Sequence, residues 1–224
     1  MKNVILFSGG MDSTTLVYHT LKNNSVKDIL LVSFNYGSKH NERENKQAEI
    51  LLEKIKIDFP SHNIEYKKIT LDFNAMGINS GLLKSSPQKI PYGHYEHDSM
   101  KATVVPFRNG IMLSIAAALI EEGTIFYGCH NGDHAIYPDC RREFTEAIGN
   151  AIAIGTDEAV TLKTPFVDIS KREIALIGKD LNVPFSDTWS CYEGRSIHCG
   201  LCGTCVERKE ALQGFDKTEY ERYI

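Results

Sequence analysis

The apolar run Val4-Ile5-Leu6-Phe7 stops at Ser8-Gly9-Gly10-Met11-Asp12-Ser13, and this junction constrains the fold more than any other stretch. An apolar tetrad ended by two glycines reads as a buried parallel strand entering a tight turn. From Ser13 to Lys22, Leu16, Val17, Thr20 and Leu21 fall at helical spacing, and Asn23-Asn24 breaks the pattern. Ile29 to Phe34 predicts a second buried strand. Glu42 to Ile57 predicts a polar helix with Ala48, Leu51, Leu52 and Ile55 on one side, and Asn63 to Ile69 a third strand. The opening third therefore alternates β-α-β-α-β, the pattern of an α/β doubly wound parallel sheet.

Residues 71–102 interrupt this order with Gly77, Gly81, Pro87, Pro91 and Gly93 and little periodicity. A loop of that length inside a compact domain is usually functional, and it is expected to cover an active site, with His94 and His97 as solvated loop residues. Helical spacing resumes from Arg108 to Glu121, and Thr124 to Gly128 predicts a fourth strand. A helix from Arg141 to Ile152 and a strand at Val160 to Leu162 follow. Ser170, with Glu173 three residues on, predicts a capping box opening a helix that runs to Ile177. Val206 to Leu212 predicts a closing helix.

The turn itself has a chemical reading. Glycines let the backbone bend sharply and let a phosphate approach the main chain. Unpaired N–H groups at a helix start, aided by the helix dipole, bind anions. Phe7, Ser8, Gly9, Gly10, Met11, Asp12, Ser13 and Thr14 are therefore the candidate nucleotide-phosphate site, with Asp12 placed to help hold hydrated magnesium. No lysine follows the glycines, so this is not the P-loop G-x-x-x-x-G-K-S/T, and it is not the dinucleotide pattern G-x-G-x-x-G either.

Four of the six cysteines crowd together at Cys191, Cys199, Cys202 and Cys205. Two successive C-x-x-C steps can wrap the chain around one ion, and Gly200 and Gly203 allow the knuckles. Zinc favours a closed tetrahedron of four thiolates, which leaves no place for water and implies a structural role. An iron–sulfur cluster and a redox pair are rival uses of such residues. His198 is expected to be a solvated neighbour, and Cys129 and Cys140 to be ordinary residues, packed or near the site, that ligate nothing.

The net charge of -4 provides no global basic field for a nucleic-acid duplex, so direct nucleic-acid binding is not expected. The first apolar run is too short for a signal peptide or a membrane span, which favours the cytoplasm and no membrane contact.

Ser8 to Ser13 resembles the S-G-G-x-D-S signature of the N-type ATP pyrophosphatases. That likeness implies a Rossmann-like sheet of adenine-nucleotide α-hydrolase type and cleavage of ATP between its α- and β-phosphates. Three further stretches narrow it: Val104-Val105-Pro106-Phe107-Arg108-Asn109-Gly110, Gly128 to Arg141, and Thr188-Trp189-Ser190-Cys191-Tyr192. With the cysteine spacing, they resemble the 7-cyano-7-deazaguanine synthase family over nearly the whole chain. The resemblance implies 7-carboxy-7-deazaguanine, ammonia and ATP as reactants, with an adenylated carboxylate, an amide and an adenylated amide on the way to the nitrile precursor of queuosine and archaeosine. It makes Asp12 and Arg108 the catalytic candidates, Arg108 facing phosphate or the substrate carboxylate. Tyr36, Asp133, His134 and Asp139 become substrate-binding candidates, a carboxylate among them suiting the guanine-like edge, and Lys163 a further ATP contact. Tyr36, Gly37 and His40 match a family stretch from which Asn35, Ser38 and Lys39 depart.

On this reading residues 1–185 form the ATP-pyrophosphatase domain, with 71–102 as an inserted cover, and 186–224 a small zinc-binding region. A homodimer is the expected assembly on general grounds. Three other readings use the same features: a relative that stops at the amide or passes the activated deazapurine elsewhere, a tRNA-thiolating ATP pyrophosphatase, and a non-enzymatic zinc interaction module.

Overall fold

The computed structural model of the protein describes residues 2–23, 26–94 and 98–222, so His97 lies outside the described residues. The chain runs β1 (Asn3–Leu6), α1 (Met11–Asn23), β2 (Asp28–Asn35), α2 (Asn41–Asp58) and β3 (Asn63–Thr70). It continues through α3 (Arg108–Ala117), β4 (Gly123–Phe126), α4 (Arg142–Gly155), β5 (Val160–Lys163), α5 (Lys171–Asp180) and α6 (Gly203–Ala211). All strand pairs are parallel, in the order β3-β2-β1-β4-β5. The chain winds outward from β1 to β3, then returns to the other side of β1 for β4 and β5. Such a reversal leaves a crevice beyond the carboxyl ends of β1 and β4, where open α/β sheets bind ligands.

Alternate side chains of each strand supply two cores. Val4, Leu30, Val32 and Phe34 face one layer, packed under Met112, Leu113 and Ala116 of α3. Ile5, Ile29, Leu31 and Phe126 face the other, packed under α1, α2 and α5. The doubly wound α/β expectation is met. In α2 the buried side is Asn41, Ala48, Leu51, Leu52 and Ile55, the apolar set anticipated from spacing plus one asparagine. The outer strands β3 and β5 carry exposed Glu65, Lys67, Lys68, Thr161 and Lys163, which discourage pairing with another sheet edge.

α3 ends at Ala117, short of the expected Glu121. The chain must turn there to enter β4 through Gly123, whose φ is +140° and whose missing Cβ would lie 2.1 Å from the Lys2 carbonyl oxygen. α5 opens as expected. Ser170 Oγ accepts from the Glu173 backbone N–H, and the Glu173 carboxylate accepts from the Ser170 N–H at 2.7 Å. Ser170→Ala is expected to lower the melting temperature by roughly 2–4 °C, read by calorimetry, with an unchanged value refuting the contribution of the cap.

Residues 71–94 are held by their own apolar anchors. Phe73, Leu82, Leu83 and Ile90 are buried in the first core, and Lys39 N–H donates to the Leu82 carbonyl at 2.8 Å. Farther on, Tyr92 bridges to Cys202, and Gly93 N–H donates to the Leu201 carbonyl at 3.0 Å. The segment thus straps the turn after β2 to the cysteine region. That region joins the same core through Trp189 and the four clustered cysteines. Arg208, fully buried in α6, fixes it further by donating to Thr188 Oγ1 at 2.8 Å, Ser190 Oγ at 3.0 Å and Thr218 Oγ1 at 2.9 Å.

Candidate active site

The turn after β1 places Phe7, Ser8, Gly10, Met11, Asp12 and Ser13 along one wall of a cleft at the carboxyl ends of the strands. Gly9 has φ +76°, and a Cβ there would meet the Ala48 backbone nitrogen at 2.7 Å, so only glycine permits this approach of the turn to α2. Ser8 and Ser13 hydroxyls lie 3.2 Å apart, and the Gly10 N–H donates to Ser8 Oγ at 3.2 Å. Trp189 N–H donates to the Gly9 carbonyl at 2.9 Å, which ties the cysteine region to the turn. Thr14 is fully buried, its hydroxyl donates to the Gly10 carbonyl at 2.7 Å, and it does not line the cleft.

Beneath the turn lies a cluster of half-buried charges. Lys171 Nζ sits 3.0 Å from Asp12 Oδ2 and 2.9 Å from Glu207 Oε2. His130, 1% exposed, brings Nε2 to 3.5 Å from Asp133 Oδ2. Burial pushes the Asp12 carboxyl up, but the Lys171, His130 and Arg208 charges outweigh it and hold Asp12 below the ordinary carboxylate range. For Lys171 the desolvation that would lower its pKa is overcome by Asp12 and Glu207, so its ammonium is held well above the ordinary lysine value. Asp12 Oδ1 is buried and has no hydrogen-bond partner.

Across the cleft, Arg108 opens α3 and donates from Nη1 to the Tyr36 hydroxyl at 3.1 Å. The preceding Phe107 takes a left-handed conformation, φ 52°, which an L-residue adopts at a cost and which turns the chain sharply into this helix. Asp139 is consumed in fixing the same helix start: its Oδ2 accepts from the Asn109 N–H at 3.0 Å. Of the residues expected to bind substrate, Tyr36, Arg108 and Asp133 line the cleft, whereas His134 and Asp139 do not. Lys163 ends β5, is exposed, and does not line it either. None of the described residues of 71–102 lines the cleft; the segment lies beside it.

Several lining residues escaped the sequence reading. Lys171 is the first residue of a helix, where a cation opposes the dipole, and that misfit was the available signal. Glu44 and Tyr127 also line the cleft and carried no local signal of it, whereas His40, Trp189 and Tyr192, which line it too, lie in stretches that carried the family resemblance. Cys129 and Cys140 line it too, with burial pushing both thiols up, and Cys140 Sγ accepts from Asn109 Nδ2 at 3.3 Å.

The Sγ atoms of Cys191, Cys199, Cys202 and Cys205 all lie within 4.8 Å of one another, and all four residues are buried. The Cys199 and Cys205 sulfurs are 3.9 Å apart, close to the ~3.8 Å edge of a tetrahedron with metal–sulfur bonds of about 2.3 Å. Backbone N–H groups of Cys199 and Cys202 point at Cys191 Sγ and Cys199 Sγ, each at 3.3 Å. This donor set fits a tetrahedral metal ion. His198 departs from expectation: it is 5% exposed, stacks on Trp189 with centroids 4.3 Å apart, and its Nε2 accepts from the Ser190 N–H at 3.2 Å. Its neighbours Trp189 and Tyr220 wall it from solvent, so it is a packed residue. Cys129 and Cys140 stand outside the four-sulfur group.

The family model for queuosine biosynthesis protein QueC matches residues 2–216. A 7-cyano-7-deazaguanine synthase from Porphyromonas gingivalis is 47% identical over 225 residues, covering 98% of this chain and 97% of that protein. Another, from Desulfotalea psychrophila, is 46% identical, covering 97% and 98%. Among solved structures, the U34-tRNA thiolase NcsA from Methanococcus maripaludis with its 4Fe-4S cluster is similar at 18% identity with a TM-score of 0.47, covering 84% of this chain and 59% of that one. No helix among the described residues is long and apolar enough to cross a membrane.

Proposed function

The chain belongs to the QueC family of queuosine biosynthesis, and from that membership we propose that it converts 7-carboxy-7-deazaguanine and ammonia to 7-cyano-7-deazaguanine with two molecules of ATP. One observation carries the residue assignment: the Ser8–Ser13 turn and Arg108 line a single cleft at the sheet's switch point.

The triphosphate rests on the backbone amides at the start of α1, with Ser8 and Ser13 hydroxyls as further donors. Lys171 supplies a buried positive charge beside that turn for the negative charge that gathers on departing pyrophosphate. Asp12 Oδ1, buried and unpartnered, is the atom that fits a magnesium ion, which when bound neutralises the pyrophosphate. Arg108 holds the substrate carboxylate, since a guanidinium matches its two oxygens.

A carboxylate oxygen is a poor leaving group, which is why ATP is needed. In the first step that oxygen attacks the α-phosphorus, the bond to pyrophosphate breaks, and an acyl adenylate forms. The ammonia lone pair then attacks the carbonyl carbon, AMP leaves, and loss of a proton gives the primary amide. In the second step the amide oxygen attacks the α-phosphorus of another ATP. Loss of pyrophosphate, two nitrogen protons and finally AMP leaves the nitrile. The four cysteines are assigned a structural zinc ion, which takes no part in these steps.

Purified protein is to be incubated with magnesium-ATP, ammonium and 7-carboxy-7-deazaguanine, with acid, amide and nitrile followed by mass spectrometry. The expected result is nitrile with two AMP released per product. Amide accumulation would make this an amide-forming relative. No consumption of the acid by folded protein would overturn the substrate assignment.

A further inference from the structure

A carboxyl group in the cleft lacks an evident structural role. Glu44 projects from the first turn of α2 into the cleft, and its side chain is 20% exposed. Its Oε2 receives only a long contact from Asn41 Nδ2 at 3.5 Å and faces His40 Nε2 at 3.6 Å. Among the described residues no lysine or arginine forms an ion pair with it. The other carboxyls nearby are engaged: Asp12 with Lys171, Asp133 near His130, and Asp139 with the Asn109 backbone. A half-buried carboxyl without a lysine or arginine partner is costly unless a ligand supplies hydrogen-bond donors.

The surroundings say what kind of ligand. Phe34, Met112, Trp189 and Tyr192 line the same cleft with apolar and aromatic surface suited to a flat ring. A carboxylate presents two acceptors side by side, which match two adjacent N–H donors of a 2-amino-4-oxo pyrimidine edge. Arg108 supplies the opposite charge for the ring's carboxylate. We propose that Glu44 reads the donor edge of the deazaguanine ring, accepting from its ring N–H and its exocyclic amine, while Arg108 holds the carboxylate. This rests on the substrate reading above and names the residue that selects the base.

Proton linkage follows. Burial pushes the Glu44 carboxyl up to about 8, against a smaller opposing effect of Arg108. The other groups facing it are His40, held neutral by burial with its pKa lowered to about 3, and the hydroxyl of Tyr36, raised by burial. Arg43, one residue back, lies over the Trp189 ring instead. At neutral pH the free protein therefore carries a proton on Glu44 that two N–H donors expel. Ligand binding releases this proton below about pH 8, and affinity rises as pH rises toward that value.

The test compares wild type with Glu44→Gln, which keeps the shape of the protonated acid but places an N–H₂ against the ligand's donors. Calorimetric binding of 7-deazaguanine and its 2-desamino counterpart is measured from pH 6 to 9, beside KM for ATP and for the carboxy substrate. Wild type is expected to favour the 2-amino ligand by ~10-fold or more and to release a proton on binding it. Glu44→Gln is expected to lose both properties, to raise KM for the acid by about 10²-fold, and to leave KM for ATP unchanged. Equal wild-type affinity for the two ligands, or no binding of either, overturns the assignment whether or not the acid is turned over. A rise in KM for ATP alone overturns it in favour of an adenine contact. Ligand discrimination by Glu44 without turnover of the acid would instead count against the reaction proposed above while leaving the Glu44 assignment standing.

Discussion

Asp12→Ala is expected to slow AMP formation by a factor on the order of 10³ while the protein remains folded. The carboxylate sits at the start of α1, against the anion-binding amides, with one oxygen committed to Lys171 and the other unpartnered. Substitution removes the atom that fits magnesium and frees Lys171 to draw toward Glu207, which misplaces the positive charge meant for pyrophosphate. The fold survives because Lys171 keeps Glu207 and His130 keeps Asp133 as partners. The measurement is pyrophosphate release at saturating ATP, with circular dichroism as the check on folding. Turnover at the wild-type rate would remove Asp12 from the machinery.

Cys202→Ala is expected to lower the melting temperature by ~10 °C or more and to abolish stoichiometric zinc. Four buried sulfurs drawn to within 4.8 Å of one another would repel as thiolates unless a cation binds them, which is the reason to expect a metal there. Ligand sets of this kind do not exist in an unfolded chain, and metal binding therefore contributes folding free energy. The damage should spread to the cleft, because Trp189 N–H holds the Gly9 carbonyl and Arg208 binds the residues just before the first cysteine. Calorimetry with elemental analysis decides the matter, and a chelator should reproduce the effect in wild type. A variant of wild-type stability, or a wild type that carries no metal when it is folded, would refute the structural zinc.

The elements were legible because their signals are local. Strand β2 announced itself by the apolar run Ile29 to Val32, with Phe34 beyond Ser33, and α2 by Ala48, Leu51, Leu52 and Ile55 on one side. The capping box at Ser170 needed only Glu173 three positions on. Where a local signal met a long-range constraint, the constraint prevailed: α3 stops early because the chain must pass the Lys2 carbonyl at Gly123. The long segment after β3 has little periodicity, yet its apolar residues Phe73, Leu82, Leu83 and Ile90 are buried in the first core.

By itself the sequence determined the parallel α/β sheet, the phosphate turn and the four-cysteine spacing, since helical and strand periods, glycine turns and C-x-x-C steps are set by neighbours in the chain. Only the tertiary structure decided which polar groups face the ligand. Asp139 looked available for a base edge but is spent on the Asn109 backbone, while Glu44, unremarkable on its helix, and Lys171, marked only by its misfit with the helix dipole, converge on the cleft. The physical reason is that a side chain's chemistry depends on its solvent and its partners. Both are supplied by residues far away in the chain and brought near only when β1, α2, α5 and α6 pack together.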